Sequence, residues 1–156
     1  MTVDELNEQL LNRLPRASES VSSSMDRAAE LEEESRDKRE NSAFPTELLN
    51  SLKPAGAPPY KLRLRAGAVV MLTCNLDKDQ GLSNRTRFLV THATQRTVTA
   101  RVLNGRAVGQ TVDVPRITHK LEPMKTKMPF TLLRRQFPLR LAWVLTVNQA
   151  QGQTFR

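Results

Sequence analysis

A turn rich in amide side chains follows an apolar segment near the end of the chain. After the run LRLAWVLTV come Asn148, Gln149, Gln151, Gly152, Gln153 and Thr154. Backbone N–H groups at a strand-to-helix turn point at anions, and neutral amides and a hydroxyl can bond phosphate oxygens without holding them tightly. The spacing therefore predicts a phosphate-binding turn, which suits a groove through which a nucleic-acid strand moves. The alternative interpretation is a plain polar loop.

Three arginines, Arg134, Arg135 and Arg140, precede this turn and belong to a strongly basic region. Residues 53–156 carry a net charge of +14, whereas residues 1–52 carry −6, and the whole chain is at +8. So large a positive charge has few acidic partners within its own region, which favours a polyanionic ligand. A basic solvated surface without any partner is the alternative. We predict DNA contacts for Arg134 and Arg135.

The residue types needed for phosphoryl transfer or hydrolysis are missing from recognisable positions. The sequence has no Gly-Lys pair and therefore no GxxxxGK[ST] loop that could hold a triphosphate. Residues 77–81, DKDQG, superficially resemble a calcium loop, but Phe88 stands where the closing Glu would be, so a hairpin turn explains them better. His92 and His119 have no neighbouring acid, and no nucleophile–base–acid set is predicted. We expect no catalytic, cofactor or metal site in this chain.

The remaining composition bounds the class of protein. Cys74 is the single cysteine, which indicates a reducing compartment and no structural zinc, and its apolar context predicts a buried small hydrophobe. No apolar run approaches the roughly 20 residues that span a bilayer. Acidic residues occur in the opening MTVDELNEQLLNRL, where a signal or transit peptide would be basic. No membrane partner and no targeting segment are expected.

The elements that position these residues change character along the chain. The capping-box pair Thr2 and Glu5, followed by apolar residues at spacings of three and four, predicts a helix that ends at Pro15. Residues 18–42 predict a surface excursion, with a short strand near Val21 and a solvated helix over 26–39. TELLNSL predicts a short helix, and KPAGAPP forms a connector that cannot continue it.

From Lys61 the hydrophobic pattern has period two, which is typical of strands. Strands are predicted in KLRLR, GAVVMLTCN, TRFLVTHAT, TVTARVL and QTVDVPRI. Short strands with tight turns favour a small closed β-barrel. Prolines are expected to keep residues 122–138 extended, and LRLAWVLTV predicts a buried strand of a parallel sheet.

Three stretches together resemble the C-terminal part of the PIF-one family of superfamily-one DNA helicases, most closely its branch in Helitron transposons. They are FPTELLNSLKPAGAPPYKLRLRAGAVVMLTCNLDKDQGLSNRTRFLV, VPRIT and PFTLLRRQFPLRLAWVLTVNQAQGQTF. The resemblance implies an α/β fold, a partial second RecA-like helicase domain with an inserted small SH3-like β-barrel. It assigns residues 1–43 to an N-terminal helix and variable segment, 44–118 to the barrel (2B-type) region, and 119–156 to the return into the RecA-like domain.

The same resemblance implies a function. Intact members are ATP-driven helicases that move 5′ to 3′ on single-stranded DNA, and residues 148–154 match helicase motif V, which contacts the DNA backbone. Gln151, Gly152 and Thr154 stand where the family has Gln, Gly and Thr. Gln149 replaces the usual lysine, and Arg85 replaces a glycine, which strains the turn if that position needs a positive φ.

The absent motifs shape the expected activity. The P-loop, the acidic magnesium motif and the arginine-finger motif are missing, so we expect a C-terminal fragment that is inactive alone, with ATP and Mg²⁺ implied only for a full-length helicase. The expected partners are single-stranded DNA and a chain carrying the missing motor half, and the family implies a nuclear location. Two alternatives stay open: an independent β-barrel protein-interaction module and a non-functional transposon remnant.

Overall fold

The computed structural model describes residues 1–29 and 44–145 of the chain. Its elements are α1 (Val3–Asn12), β1 (Ser20–Ser23), β2 (Met25–Ala29), α2 (Thr46–Ser51), β3 (Lys61–Leu64), β4 (Val69–Leu72), β5 (Arg87–Ala93), β6 (Thr97–Val102), β7 (Thr111–Pro115), β8 (Ile117–Leu121), α3 (Pro123–Thr126), β9 (Thr131–Gln136) and β10 (Leu139–Leu141), with a 3₁₀ turn at Arg16–Ser18. The predicted phosphate-binding turn, residues 148–154, lies outside the described residues, as does the 30–39 part of the predicted solvated helix.

The first helix forms where the sequence predicts it. The Thr2 hydroxyl accepts the Glu5 N–H at 3.1 Å, and the Glu5 carboxylate accepts the Thr2 N–H at 2.8 Å. This reciprocal capping box satisfies backbone donors that the first turn leaves unpaired. Leu11 is fully buried, so the apolar stripe of α1 packs on the main core.

The strands form three antiparallel sheets, with orders β1-β3, β10-β4-β5-β6-β7 and β2-β9-β8. Strands β3 to β7 occupy the region of period-two alternation, so the strand-rich middle is confirmed. Among the described residues no ladder joins β7 to β10, and β3 pairs with β1 in a separate sheet. The five-stranded sheet is therefore open at both edges rather than a closed barrel.

Two local predictions are wrong because tertiary pairing and backbone geometry override the sequence pattern. Residues 25–29 form strand β2 rather than the start of a helix, since they pair along β9 with Asp26 opposite Arg134. Residues 122–138 are not wholly extended, because Pro123 occupies the first turn of α3. The fixed φ of proline suits a first helical position.

The segment LRLAWVLTV also differs from its prediction. Within its described part, residues 139–145, only Leu139–Leu141 form a strand, β10, and it runs antiparallel to β4. All described ladders are antiparallel, and parallel pairing needs crossovers of a dozen or more residues. Beyond β10 the chain is held by a side chain, since Asn7 on α1 donates to the Val144 carbonyl at 3.0 Å and accepts its N–H at 2.9 Å.

Each larger sheet has its own hydrophobic core. The main core lies between the five-stranded sheet, β3 and α1. A smaller core under the three-stranded sheet contains Leu49, Ala57, Leu121, Phe130 and Leu132. The three-stranded sheet therefore buries one face and leaves the opposite face to solvent. Within residues 1–29 and 44–145, no helix has the length and apolar character needed to cross a membrane.

Candidate nucleic-acid interface

Strand β9 sends the two predicted arginines to opposite faces of the three-stranded sheet. Arg134 is 0% exposed, whereas Arg135 is exposed to solvent. Side chains of successive strand residues point to opposite faces, so neighbours in sequence cannot share one surface. The predicted pair is therefore one buried arginine and one that a ligand can reach.

The solvent side of this sheet, which we call the outer face, carries three exposed cations. The register places Arg135 between Met25 of β2 and Thr118 of β8. In the next row on this face, Leu133 lies between Arg27 and Lys120. Directly paired residues of an antiparallel sheet share a face, and adjacent strands lie about 4.8 Å apart. The exposed cations Arg27, Lys120 and Arg135 therefore converge on one small area.

Charge on the outer face is of one sign. None of its strand positions in β2, β8 and β9 holds Asp or Glu, and the nearest acid along β8 is Glu122, which follows the strand as the N-cap of α3. Beside this face, burial and then the charge of Arg135 hold the pKa of Arg116 below its usual value. Burial and a neighbouring positive charge both disfavour the charged form of the Arg116 guanidinium, and an anionic ligand beside it would offset both effects.

Arg116 borders the outer face in a fixed position. Its guanidinium donates to the Ser23 carbonyl at 2.8 Å and to the Gln95 carbonyl at 2.8 Å, and lies 5.1 Å from the centroid of the Phe137 ring. These contacts join β1, the β5–β6 turn and the end of β9. The cationic face therefore rests on a rigid frame.

On the inner face, Arg134 forms a buried ion pair with Asp26. Its Nε donates to Asp26 Oδ1 at 3.0 Å, and one terminal nitrogen donates to Oδ2 at 3.0 Å. The guanidinium also donates to the carbonyls of Leu49, Leu52 and Pro58 at 3.0–3.2 Å. The DNA contact predicted for Arg134 is untested, but these contacts give the side chain a structural role.

Arg27 and Lys120 on the outer face were not among the site residues predicted from the sequence. Arg27 fell within the predicted solvated helix, and only its pairing with β9 reveals that it lies in a strand. Lys120 follows period two within ITHKL, so alternation in β8 could have indicated its exposure. The sequence pattern thus indicated an exposed Lys120 in β8 but gave no indication that Arg27 lies in a strand.

The other sequence candidates that the structure describes lie away from this face. Asn148, Gln149, Gln151, Gly152, Gln153 and Thr154 lie outside the described residues. Arg140 is half-buried on β10. The DKDQG segment forms the hairpin turn expected of it, with Asp77 Oδ1 accepting the N–H groups of Asp79 and Gln80 at 3.1 and 3.2 Å. The described part of the chain holds no group of three or more His, Cys, Asp or Glu arranged for a metal.

The titratable candidates show no catalytic arrangement among the described residues. His92 is exposed on β5 and His119 is half-buried on β8. Burial lowers the pKa of His119, with a smaller contribution from Arg134, while a hydrogen bond to the Gln136 backbone opposes it. Burial raises the pKa of the Cys74 thiol, which disfavours the reactive thiolate. Cys74 is half-buried rather than fully buried as predicted.

Comparison with protein families and curated relatives points to one group. Residues 47–92 match the family described as DNA helicase Pif1, 2B domain. The ATP-dependent DNA helicase PIF1 of Danio rerio is 38% identical over 98 residues, which cover 60% of this chain and 14% of the relative. The ATP-dependent DNA helicase PIF6 of Trypanosoma brucei brucei is 33% identical over 96 residues, covering 60% of this chain and 12% of the relative. The chain thus matches about one-seventh or less of either relative.

Solved structures agree in fold over nearly the whole chain. Pif1 helicase from Candida albicans has a TM-score of 0.64 at 25% identity and covers 97% of this chain and 35% of its own. Pif1 in the structure of DNA unwinding at forked double-stranded DNA has a TM-score of 0.63 at 25% identity, and the match covers 98% of this chain and 28% of that one. Bacteroides Pif1 bound to single-stranded DNA has a TM-score of 0.61 at 22% identity, and the match covers 97% of this chain and 30% of that one. At this identity the match shows a similar fold.

Proposed function

Since the chain belongs to the Pif1 family of DNA helicases, we propose that it is the 2B-bearing part of an ATP-dependent 5′–3′ helicase and contributes contacts to the backbone of single-stranded DNA. ATP and Mg²⁺ then serve the full-length enzyme. We assign residues 44–118 to the inserted SH3-like region and both flanking segments to the second RecA-like domain. The relatives are helicases, which disfavours an independent protein-interaction module.

The outer face is the observation that carries this proposal. Arg27, Lys120 and Arg135 are exposed together on a sheet whose opposite side is locked by the Arg134–Asp26 pair. Arg and Lys on a rigid strand surface can bond phosphate oxygens without reading bases. The expected binding is therefore insensitive to base sequence and steeply dependent on salt.

The segment after β10 contributes a second, neutral set of contacts in this proposal. Residues 148–154 match motif V, and the amide of Gln151 and the hydroxyl of Thr154 would bond phosphate oxygens there. Gln149 lacks the positive charge that lysine supplies in the family. The cationic outer face and the neutral turn differ in how salt affects them, so they can be tested separately.

The first prediction concerns the outer face. In the triple variant Arg27→Ala, Lys120→Ala and Arg135→Ala, we expect weaker binding of an oligo-dT strand and a salt dependence shallower by about 2 in log–log slope, because each lost phosphate contact removes roughly 0.7. The measurement is fluorescence anisotropy across a series of salt concentrations. The matched control replaces the exposed Arg13, Lys78 and Arg101, which lie elsewhere, by alanine.

The outcome separates a specific face from general charge. Both variants lose three positive charges, so an equal loss of affinity and slope in the control would contradict the outer face as the interface. In the same assay, the Gln151→Ala and Thr154→Ala pair should weaken binding with little change in slope, since both side chains are neutral. Unchanged affinity in a folded variant of this pair would remove motif V from the proposal.

A further inference from the structure

A cavity of about 510 Å³, lined in part by the inner-face residue Arg134, lies between α1, residues 52–60, β3 and β10. It is within the 300–1,000 Å³ of typical small-ligand sites. Its wall includes Tyr60 and the connector KPAGAPP, which was predicted only to separate a helix from a strand. Neither the family resemblance nor the outer face accounts for it.

The connector wall is held in place by side chains of β9. Arg134 binds the carbonyls of Leu52 and Pro58, and Gln136 Nε2 donates to the carbonyls of Pro59 and Tyr60 at 3.3 and 3.1 Å. Buried side-chain donors of this kind fix irregular backbone that has no ladder partners. The cavity is therefore a preformed feature with a rigid wall.

The cavity walls carry cations that have no partner. Lys53, Lys61 and Arg140 line it, and none of these side chains makes a hydrogen bond or ion pair within residues 1–29 and 44–145. Arg63, which also lines the cavity, is neutralised by Glu8 and Glu19. Of the acidic residues that line the cavity, Asp4 is the one without an ion-pair partner among the described residues.

This imbalance favours an anionic ligand. A half-buried guanidinium such as that of Arg140 loses hydration and gains no compensating ion pair. Three unpaired cations against one acid leave the cavity positive, and a preformed positive concavity concentrates anions. A phosphate group would supply the acceptors that Arg140 and Lys53 lack.

The same cavity also offers groups suited to a planar base. Tyr60 lines it, and aromatic rings stack nucleobases regardless of base identity. Asn50 lines it as well, and an asparagine amide can donate and accept hydrogen bonds. We propose that this cavity binds one nucleotide unit, with its phosphate at Arg140 and Lys53 and its base against Tyr60.

A free mononucleotide and one nucleotide within a DNA strand present this same chemistry, so the test uses both. The probes are dTMP, an oligo-dT octamer and an octamer of the same length whose sugars carry no bases. Binding to the 156-residue chain is measured by calorimetry for dTMP and by anisotropy for the labelled octamers. The variants are Arg140→Ala, Tyr60→Leu and Tyr60→Phe, with Arg101→Ala as the matched loss of charge on β6.

We expect Arg140→Ala to weaken binding of both octamers about ten-fold, because a charge-assisted phosphate contact is lost, and Arg101→Ala to change it far less. Tyr60→Leu should weaken the oligo-dT octamer by at least about five-fold and leave the abasic octamer unchanged, and Tyr60→Phe should restore binding. Saturable dTMP binding that Arg140→Ala abolishes would identify a free nucleotide as an occupant. If Arg140→Ala weakens binding of the octamer alone, the occupant is a nucleotide within a DNA strand.

Equal effects of Arg140→Ala and Arg101→Ala on every probe, with no selective effect of Tyr60→Leu, would overturn the cavity site. Thermal melting of each variant confirms that it is folded before binding is compared. The cavity and the outer face share none of these substitutions. Failure of the cavity variants therefore leaves the proposed DNA interface standing, and failure of the outer-face variant leaves the cavity site standing.

Discussion

Adjacent arginines in one strand have different roles because their side chains alternate between two faces. Arg134 meets Asp26 and three backbone carbonyls on the buried side, and Arg135 meets solvent on the other. A buried charge is tolerated only when it is paired and hydrogen-bonded. At the scale of the residue, sequence proximity therefore says little about shared function.

The second prediction tests this division. Arg134→Ala should lower the free energy of unfolding by about 3–5 kcal/mol, because it leaves the Asp26 carboxylate buried without its partner. Arg135→Ala, on the exposed side, should change it by no more than about 0.5 kcal/mol. Urea denaturation at neutral pH measures both. Equal stability of the two variants would show that the Arg134–Asp26 pair does not hold the connector.

At the scale of the element, the turn between β4 and β5 shows a local conflict between sequence and backbone. Arg85 has φ of 74°, and the Thr86 N–H donates to the Ser83 carbonyl at 3.0 Å. This is the position of a four-residue turn that favours glycine. Arg85, which replaces a glycine of the family, was expected to strain the turn if this position needs a positive φ. The observed φ is positive, so the turn is strained at Arg85.

The third prediction is that Arg85→Gly stabilises the protein. Removing the left-handed strain gains about 1–2 kcal/mol. The greater freedom of glycine in the unfolded chain costs about 0.4–1 kcal/mol, which leaves a net gain near 0.5–1 kcal/mol. Urea denaturation is the measurement, and Asn84→Gly in the same turn is the control. A gain of the same size for Asn84→Gly would contradict the role of φ at Arg85.

At the scale of the whole molecule, the acidic beginning of the chain binds part of the basic remainder. Glu19 accepts hydrogen bonds from Arg63 at 2.7 Å and Arg65 at 3.1 Å, and Glu8 accepts one from Arg63 at 2.9 Å. Arg65 is buried and also donates to carbonyls at the end of α1. Acidic residues of the first region thus pair with arginines in and directly after β3. They do not neutralise the cations of the outer face.

The fourth prediction follows from the pKa of Glu19. Hydrogen bonds from Arg63 and then Arg65 hold that pKa below the ordinary 4.5. The unfolded chain then binds a proton more readily than the folded chain, so Glu19 contributes stability above about pH 4.5 that is lost as pH falls through its folded pKa.

Glu19→Gln should therefore reduce the fall in melting temperature between pH 6 and pH 3, as measured by circular dichroism. Glu47→Gln on the exposed side of α2 is the matched control and should leave that fall unchanged. A wild-type pH profile in the Glu19→Gln variant would show that the Arg63 and Arg65 contacts contribute nothing to acid stability.

The sequence by itself determined the elements whose signals are local. The capping box predicts α1, alternation predicts strands β3 to β7, and the ordered motifs indicate the helicase family, because each of these depends on neighbours along the chain. Tertiary structure alone decided which strands pair, and hence that Arg27, Lys120 and Arg135 share a face. It also decided that the sheet stays open and that Arg134 is buried, because long-range pairing of β2 with β9 overrides the local pattern.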